Sequence, residues 1–334
     1  MNNIERIVPT VWIGNEKEVV ELMEIFSKEG VKKLRVNCTR HAAEGYIKEI
    51  QAFYKIWGNT FDLILDMPIP KKKIRVFYEW KGQELKVAPD AIYSISKKNG
   101  LMRQHTDMYV ENNNFDKLFS LPIGTVLTVG ENHAVVRLED KTEDEIFVKA
   151  MGKGIVPYGK YITAPGMKFI ECEEEVIDEY VRVTEAVPCY GVALSFVESA
   201  EEVEMIRRKL GTGIRLIAKI ETLKGVENID KIMNVSDEIM IARGDLLINT
   251  GYEFFARACN MLSASCEKAK KKYYIATGIL ESFRIENMKP SRSELCEIYN
   301  LFQYTNADMV IEHNKCRTKL QVVELLNIIN KVHG

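Results

Sequence analysis

IRLIAKIETLKGV, residues 214–226, and EIMIARGDLLI, residues 238–248, decide the fold of this chain. Each opens on aliphatic residues and closes on charged ones. Apolar runs such as IMIA, and LIL further upstream, suit strands buried on both faces, as in a parallel sheet. Working outward, comparable runs recur at 7–13, 33–37, 61–66, 190–196, 273–277 and 308–312. With 214–219 and 237–242 they make eight predicted strands. Amphipathic stretches separate them. In the first, predicted over about 16–29, Val19, Leu22, Met23 and Phe26 recur at i, i+3, i+4 and i+7. Eight β-α repeats predict an α/β chain closed into a (β/α)8 TIM barrel rather than an open sheet.

One interval breaks the alternation. Residues 76–163 contain the hairpin-like pieces FYEWKGQELKV, TVLTVGENHAVVRLED and EIFVKAMGKGIV. The expected organisation is a catalytic barrel over 1–75 and 164–334, with a small β lid domain over 76–163 inserted after barrel strand three. Such an insertion follows the strand end at which barrel enzymes carry their chemistry, hence the lid; a decorative insertion is the alternative.

Composition excludes several classes. At 334 residues and 46% apolar content the chain can bury a large core. Its 46 basic and 48 acidic residues sum to −2, which argues against a nucleic-acid binder. No apolar run is long enough to cross a bilayer, and MNNIERIVPT has no signal-peptide core, so no membrane association is expected. Seven scattered cysteines with no C-x-x-C pair read as reduced thiols, and the expected location is cytoplasmic.

The chemistry gathers at the strand ends. Lys219 and Glu221 are two apart on a strand and project to the same side, where neither is cheaply buried alone. A satisfied ion pair is the plain alternative. The next strand ends in Arg243-Gly244-Asp245. Glu221 and Asp245 together make an oxygen-ligand pair suited to Mg2+ or Mn2+, which keep positions for water and substrate oxygens. Gly244 allows close backbone approach, and nearby N–H groups can hold a carboxylate. YYIATGILES, 273–282, puts Thr277 on the same rim, as a proton-delivering or substrate-anchoring hydroxyl or a plain barrel-end one. His313, at the eighth strand's end, is either a substrate contact or a satisfied rim histidine.

AKIE, ARGDL and ATxxLES, in that order on consecutive strands, resemble the catalytic barrel of pyruvate kinase. LRVNCTRH (34–41) is similar to the family's R-L-N-F-S-H segment and LILDMPIPKKKIR (63–75) to its D-x-x-G-P-x-I-R segment. YGKYITAPG (158–166), VALSFVESAEEV (192–203) and MKPSRSEL (288–295) also have counterparts. The resemblance implies Mg2+-dependent phosphoryl chemistry around an enolate. It places Lys219 beside the transferring phosphoryl group and gives the divalent ion to Glu221 and Asp245. Thr277 comes near the enolate carbon, and Arg35 and Arg75 bind phosphate oxygens. Ser195, Gly244, Asp245 and Lys73 join Arg75 in binding substrate. Asn37, Thr39 and Asp66 match a monovalent-cation pocket, and Lys160 matches a lysine on the nucleotide phosphates. MKPSRSEL resembles a segment near the family's barrel-to-barrel contact, which implies a homodimer.

The sequence also departs from the family. The resemblance ends with the eighth helix, so the expected protein lacks the family's C-terminal domain. IEHNKC (311–316) stands where the family has S-G-E-T-A, and VGENH (129–133) replaces a D-D-G turn. Gly14 is followed by Asn15 rather than proline, Ile69 and Leu247 replace glycines, and Lys224 replaces an acidic or polar residue. The expected function is therefore a Mg2+-dependent phosphotransferase with a phosphoenolpyruvate/enolate-type site, specialised away from glycolysis. Its partners would be a small phosphorylated or oxoacid substrate and a nucleotide. The alternatives are a metal-dependent oxoacid lyase or isomerase that needs no nucleotide, and a non-catalytic relict.

Potassium offers a test at this level. In the resembling family the residue before the I-R pair is glutamate, with bound K+, or lysine, which takes over that charge. Here it is Lys73. Two positive charges a few ångströms apart in a partly dry site repel by several kcal/mol, so lysine and K+ exclude each other. Activity with Mg2+ is expected to be equal in sodium, potassium and tetramethylammonium buffers at matched ionic strength. A tenfold K+ requirement would show that Lys73 points elsewhere.

Overall fold

Strand parity builds the barrel. The computed structural model describes residues 3–13, 17–38, 43–67, 74–78, 84–97, 107–110, 112–130, 133–165, 167 and 174–333. Eight parallel strands close in sequence order: β1 Ile7–Val11, β2 Lys33–Asn37, β3 Asp62–Asp66, β4 Gly191–Leu194, β5 Arg215–Ile220, β6 Glu238–Ala242, β7 Tyr273–Ala276 and β8 Ala307–Ile311. β8 returns to β1 with Met309 opposite Ile7 and Val310 opposite Val8. Alternate residues meet inside: Val8, Ile64, Ala193, Ile217, Met240, Tyr274, Ala276 and Val310 form one buried cluster.

The predicted strands and the observed ones differ only at their ends. β1 stops at Val11 because Trp12 turns outward, 48% exposed. β7 stops at Ala276 because Thr277 takes a left-handed backbone, φ +72°. The first helix runs Lys17–Glu29 and buries Leu22, Met23 and Phe26, while Val19 is half-buried. Helix Arg292–Phe302 starts on a capping box: Ser291 Oγ accepts from Glu294 N–H, and the Glu294 carboxylate accepts from Ser291 N–H. Against the cost of burial, bonds from Ser282 and Ser291 hold the Glu294 carboxyl down at about 2. No helix among the described residues is long and apolar enough to cross a membrane.

The N-terminal end of the barrel is closed by charge. Asp308, 1% exposed, accepts from Lys33 Nζ at 3.3 Å and Lys272 Nζ at 2.5 Å. The buried Glu238 carboxylate accepts the hydroxyls of Tyr190 and Tyr274, and Lys33 Nζ lies 5.0 Å from the Tyr190 ring centroid. Burial, with the Glu238 charge adding to it, pushes the Tyr274 phenol far above its ordinary value, so it remains a donor.

The chain divides into two compact units. The first, residues 1–70, 173–246 and 256–334, holds the barrel; the second comprises 71–172 and 247–255. In the second, six strands lie in the order Ile162–Thr163, Val126–Val129, Ala134–Lys141, Glu145–Ala150, Ile92–Lys97 and Met108–Val110. All pairs are antiparallel except the last. Leu85–Val87 and Gly154–Val156 form a separate two-stranded ribbon. Ile95, Val110, Phe115, Leu127, Leu138 and Val148 lie in this unit's own core.

Asp308→Ala removes one carboxylate from between two ammonium groups. It is expected to lower barrel stability by about 3–5 kcal/mol, the usual consequence of stranding a buried charge. Urea unfolding followed by circular dichroism would check this; an unchanged midpoint would show that the lysines find other partners.

Candidate active site

The inward positions that are apolar at mid-barrel become polar two residues later. Val8 is followed by Thr10, Ile64 by Asp66, Ala193 by Ser195, and Ile217 by Lys219 and then Glu221. The period of two carries these side chains to the C-terminal mouth. There Lys219 Nζ donates to Ser195 Oγ at 2.9 Å and Asp66 Oδ1 at 3.2 Å, and lies 3.4 Å from Glu221 Oε1. Asp66 Oδ2 accepts from Arg35 Nε at 2.9 Å and Nη2 at 2.6 Å, while Arg35 Nη1 donates to Thr10 Oγ1 at 3.0 Å. Glu221 Oε2 accepts from the Phe196 N–H at 2.6 Å. That amide is aimed by a left-handed Phe196, φ +59°.

Asp66 and Glu221 are 3% exposed and Lys219 9%, so these charges depend on one another. Burial alone would lower the Lys219 pKa, but the Asp66 and Glu221 carboxylates, with a smaller contribution from Asp245, outweigh it and raise it. The ammonium therefore stays charged at neutral pH. It can offset negative charge on a substrate and cannot serve as a base there. Burial likewise works to raise the Asp66 pKa, and Lys219 and Arg35 together bring it below its ordinary value.

The next two strand ends supply the rest of the rim. Arg243-Gly244-Asp245 opens helix Arg243–Thr250, with Asp245 half-buried in its first turn. A Cβ on Gly244 would stand 3.1 Å from Thr277 Cγ2, so glycine is what lets the two turns touch. Asn37 ends β2, opposite Asp66 of β3.

The family model "Pyruvate kinase, barrel domain" matches residues 4–312. The pyruvate kinase of Sporosarcina psychrophila is 27% identical over 314 residues, covering 89% of this chain and 52% of the relative. That of Lactococcus lactis is 26% identical over 312 residues, covering 89% and 61%. That of Thermotoga maritima is 26% identical over 339 residues, covering 98% and 70%. This chain belongs to the pyruvate kinase family. It spans about half the length of several of the relatives that it matches.

Among the residues that the family likeness singles out, Lys219, Glu221, Ser195, Arg35 and Asp66 are joined by the contacts above. Thr277, Gly244 and Asp245 share the adjoining rim. Arg75 and Lys160 belong to the second unit, where both are exposed. Arg75 Nη1 donates to the Gly159 carbonyl at 2.9 Å, and the Lys160 carbonyl accepts from Val76 N–H at 2.9 Å. Lys73 and Thr39 lie outside the described residues.

The carboxylates of Glu221 and Asp245 are the groups here that could hold a divalent ion. Glu221 and Asp245 are hard oxygen donors from adjoining strand ends, and no group of three or more His, Cys, Asp or Glu among the described residues could hold a metal. Two carboxylates with water and substrate oxygens completing the shell is a magnesium-type arrangement.

Sequence reasoning missed three features. The first is that Asp66, which the family likeness places at a cation pocket, also joins Lys219 to Arg35. His313 stacks on Trp12 with ring centroids 4.2 Å apart and planes 6° from parallel. Lys315, 1% exposed, pairs with Glu281 and Glu312. The inward parity of Asp66 was the available signal for the first; nothing local announces the others.

Asp66→Asn leaves Lys219 and Arg35 facing each other and is expected to cost about 3–5 kcal/mol of stability at neutral pH. Because the folded Asp66 pKa is depressed, its contribution is present above its ordinary value near 3.8 and is lost as pH falls through the lower folded value. The difference in melting temperature between wild type and Asp66→Asn should therefore shrink below that pH. A gap that is constant with pH would remove the charge from the explanation.

Proposed function

We propose that this chain is a divalent-metal-dependent phosphotransferase working through a phosphoenolpyruvate/enolate-type site, with a nucleotide as second substrate and a role away from glycolysis. The observation that carries the reading is the buried Lys219 ammonium, held by Ser195 and Asp66 and flanked by Glu221 at the barrel mouth. Phosphoryl transfer needs positive charge and fixed donors around the equatorial oxygens more than it needs covalent help. From phosphoenolpyruvate, the bond from phosphorus to the enol oxygen breaks and the phosphoryl group joins the terminal phosphate oxygen of a nucleoside diphosphate. The enolate left behind takes a proton at its methylene carbon and becomes the oxoacid.

In this reading Lys219 offsets charge on the phosphoryl group, and Arg35 and Arg75 bind its oxygens. Lys73 adds a further positive charge there. Backbone N–H groups at Gly244 and Asp245 orient the substrate carboxylate, and Ser195 fixes the Lys219 ammonium. Thr277 Oγ1 holds or relays the proton bound for the enolate carbon. Glu221 and Asp245 would hold Mg2+ or Mn2+, which supplies Lewis acidity at the phosphoryl and oxoacid oxygens. Asn37 matches the family's monovalent-cation pocket, where the charge of Lys73 would replace the ion, and Lys160 would take the nucleotide phosphates. The 76–163 insertion is assigned the lid by its place in the chain after β3. The altered segment after β8, with its Trp12–His313 stack and buried Lys315, supports a specialised role.

Lys219→Met is expected to lower kcat by at least about a hundredfold in a protein whose circular dichroism is still that of the folded barrel, with a lowered melting temperature because the Asp66 and Glu221 carboxylates lose their shared cation. Pyruvate release from phosphoenolpyruvate should need both ADP and Mg2+, and Glu221→Gln should weaken Mn2+ binding measured by calorimetry. Conversion of an oxoacid without nucleotide would replace this reading with the lyase or isomerase one. Wild-type turnover in the folded Lys219→Met protein would remove the lysine from the mechanism.

A further inference from the structure

Three of the four residues at 277–280 have a left-handed backbone: Thr277 at φ +72°, Gly278 at +77° and Leu280 at +53°. For a β-branched residue such as Thr277 this is a true outlier. It persists only where the surroundings over-determine it, and such strain concentrates at functional turns. Ile279, Leu280 and Phe283 are anchored in the core, which holds the far side of the turn. The near side, carrying the Thr277 hydroxyl, is held differently.

Arg243 Nε donates to the Thr277 carbonyl at 2.8 Å. Its Nη1 pairs with Glu297 Oε1, on the helix that follows the turn, and its Nη2 would lie 3.6 Å from a Cβ on Gly278. The side chain is mostly buried, 15% exposed. Arg243 is also the residue directly before Gly244-Asp245. We infer that the Arg243–Glu297 pair is a positioning device that sets the Thr277 turn against the Gly244-Asp245 turn. The roles of those turns rest on the reading above; the clamp itself rests on these contacts.

The guanidinium suits the task because its planar fork presents Nε and Nη1 to two separate acceptors in fixed directions. Glu297 holds one arm of the fork, so the other keeps its aim at a carbonyl that the strained turn would otherwise swing away. A lysine would keep the charge but could not span both acceptors in that geometry. Arg243 and Glu297 are thus positioning residues acting through Thr277 and Asp245.

The test uses the full chain carrying Arg243→Met, Arg243→Lys or Glu297→Gln. Backbone hydrogen exchange over residues 277–283 should quicken about tenfold or more in both Arg243 variants and less in Glu297→Gln, with β4 and β5 unchanged. In the phosphoenolpyruvate assay, kcat should fall about a hundredfold in Arg243→Met, the scale of a misplacement near 1 Å, with KM within about threefold. Arg243→Lys should not rescue it. Unchanged exchange at the turn, equal loosening of the whole barrel, rescue by lysine, or a raised KM at constant kcat would each overturn the inference. Should wild type transfer no phosphoryl group, the functional reading fails and exchange alone decides the clamp.

Discussion

The Asp66 carboxylate between Lys219 and Arg35 is the interaction on which the C-terminal mouth of this barrel depends. Four charged groups lie together there, two cations and two carboxylates, in surroundings that would penalise any one of them alone. Asp66 stands on β3 and Lys219 on β5, so the contact crosses the barrel past β4, and Ser195 from the end of β4 completes it. Arg35 carries the network to β2 and on to Thr10 of β1. Five consecutive strand ends are thereby fixed by hydrogen bonds that must be satisfied together.

The two barrel ends solve the same electrostatic problem with different partners. At the N-terminal end, the carboxylates of Asp308 and Glu238 are met by lysine ammonium groups and tyrosine hydroxyls. At the C-terminal end, Lys219 is 9% and Glu221 3% exposed, and their charges are met by Asp66, Ser195 and the Phe196 N–H. Between them lies an apolar belt that separates the two networks.

Membership of the pyruvate kinase family and the specific features of this chain concern different parts of the rim. The residues on β5, β6 and β7 follow the family's order, and their side chains gather as parity requires. The rim at β8 and β1 is rebuilt around the Trp12–His313 stack and the buried Lys315, which pairs with Glu281 beyond β7. A buried lysine restrains the segment it belongs to, because its ammonium, 1% exposed, depends on Glu281 and Glu312 for its partners.

The eight strands, their parallel order and the common side of Lys219 and Glu221 were legible in the amino-acid sequence. Those properties follow from a period of two and from apolar runs, which are local signals. The ends of β1 and β7 were not, because they depend on where Trp12 finds solvent and where Thr277 is forced into a left-handed turn. Nor were the pairings that give the site its electrostatics: Asp66 and Lys219 are 153 residues apart, and Arg243 and Glu297 are 54 apart. The extent of the second compact unit, which takes in 247–255 as well as 71–172, likewise needed the folded chain. Periodicity tells which face a side chain occupies. Which charge meets it across the barrel is decided by closure of the sheet, because only closure brings distant strand ends within hydrogen-bonding distance.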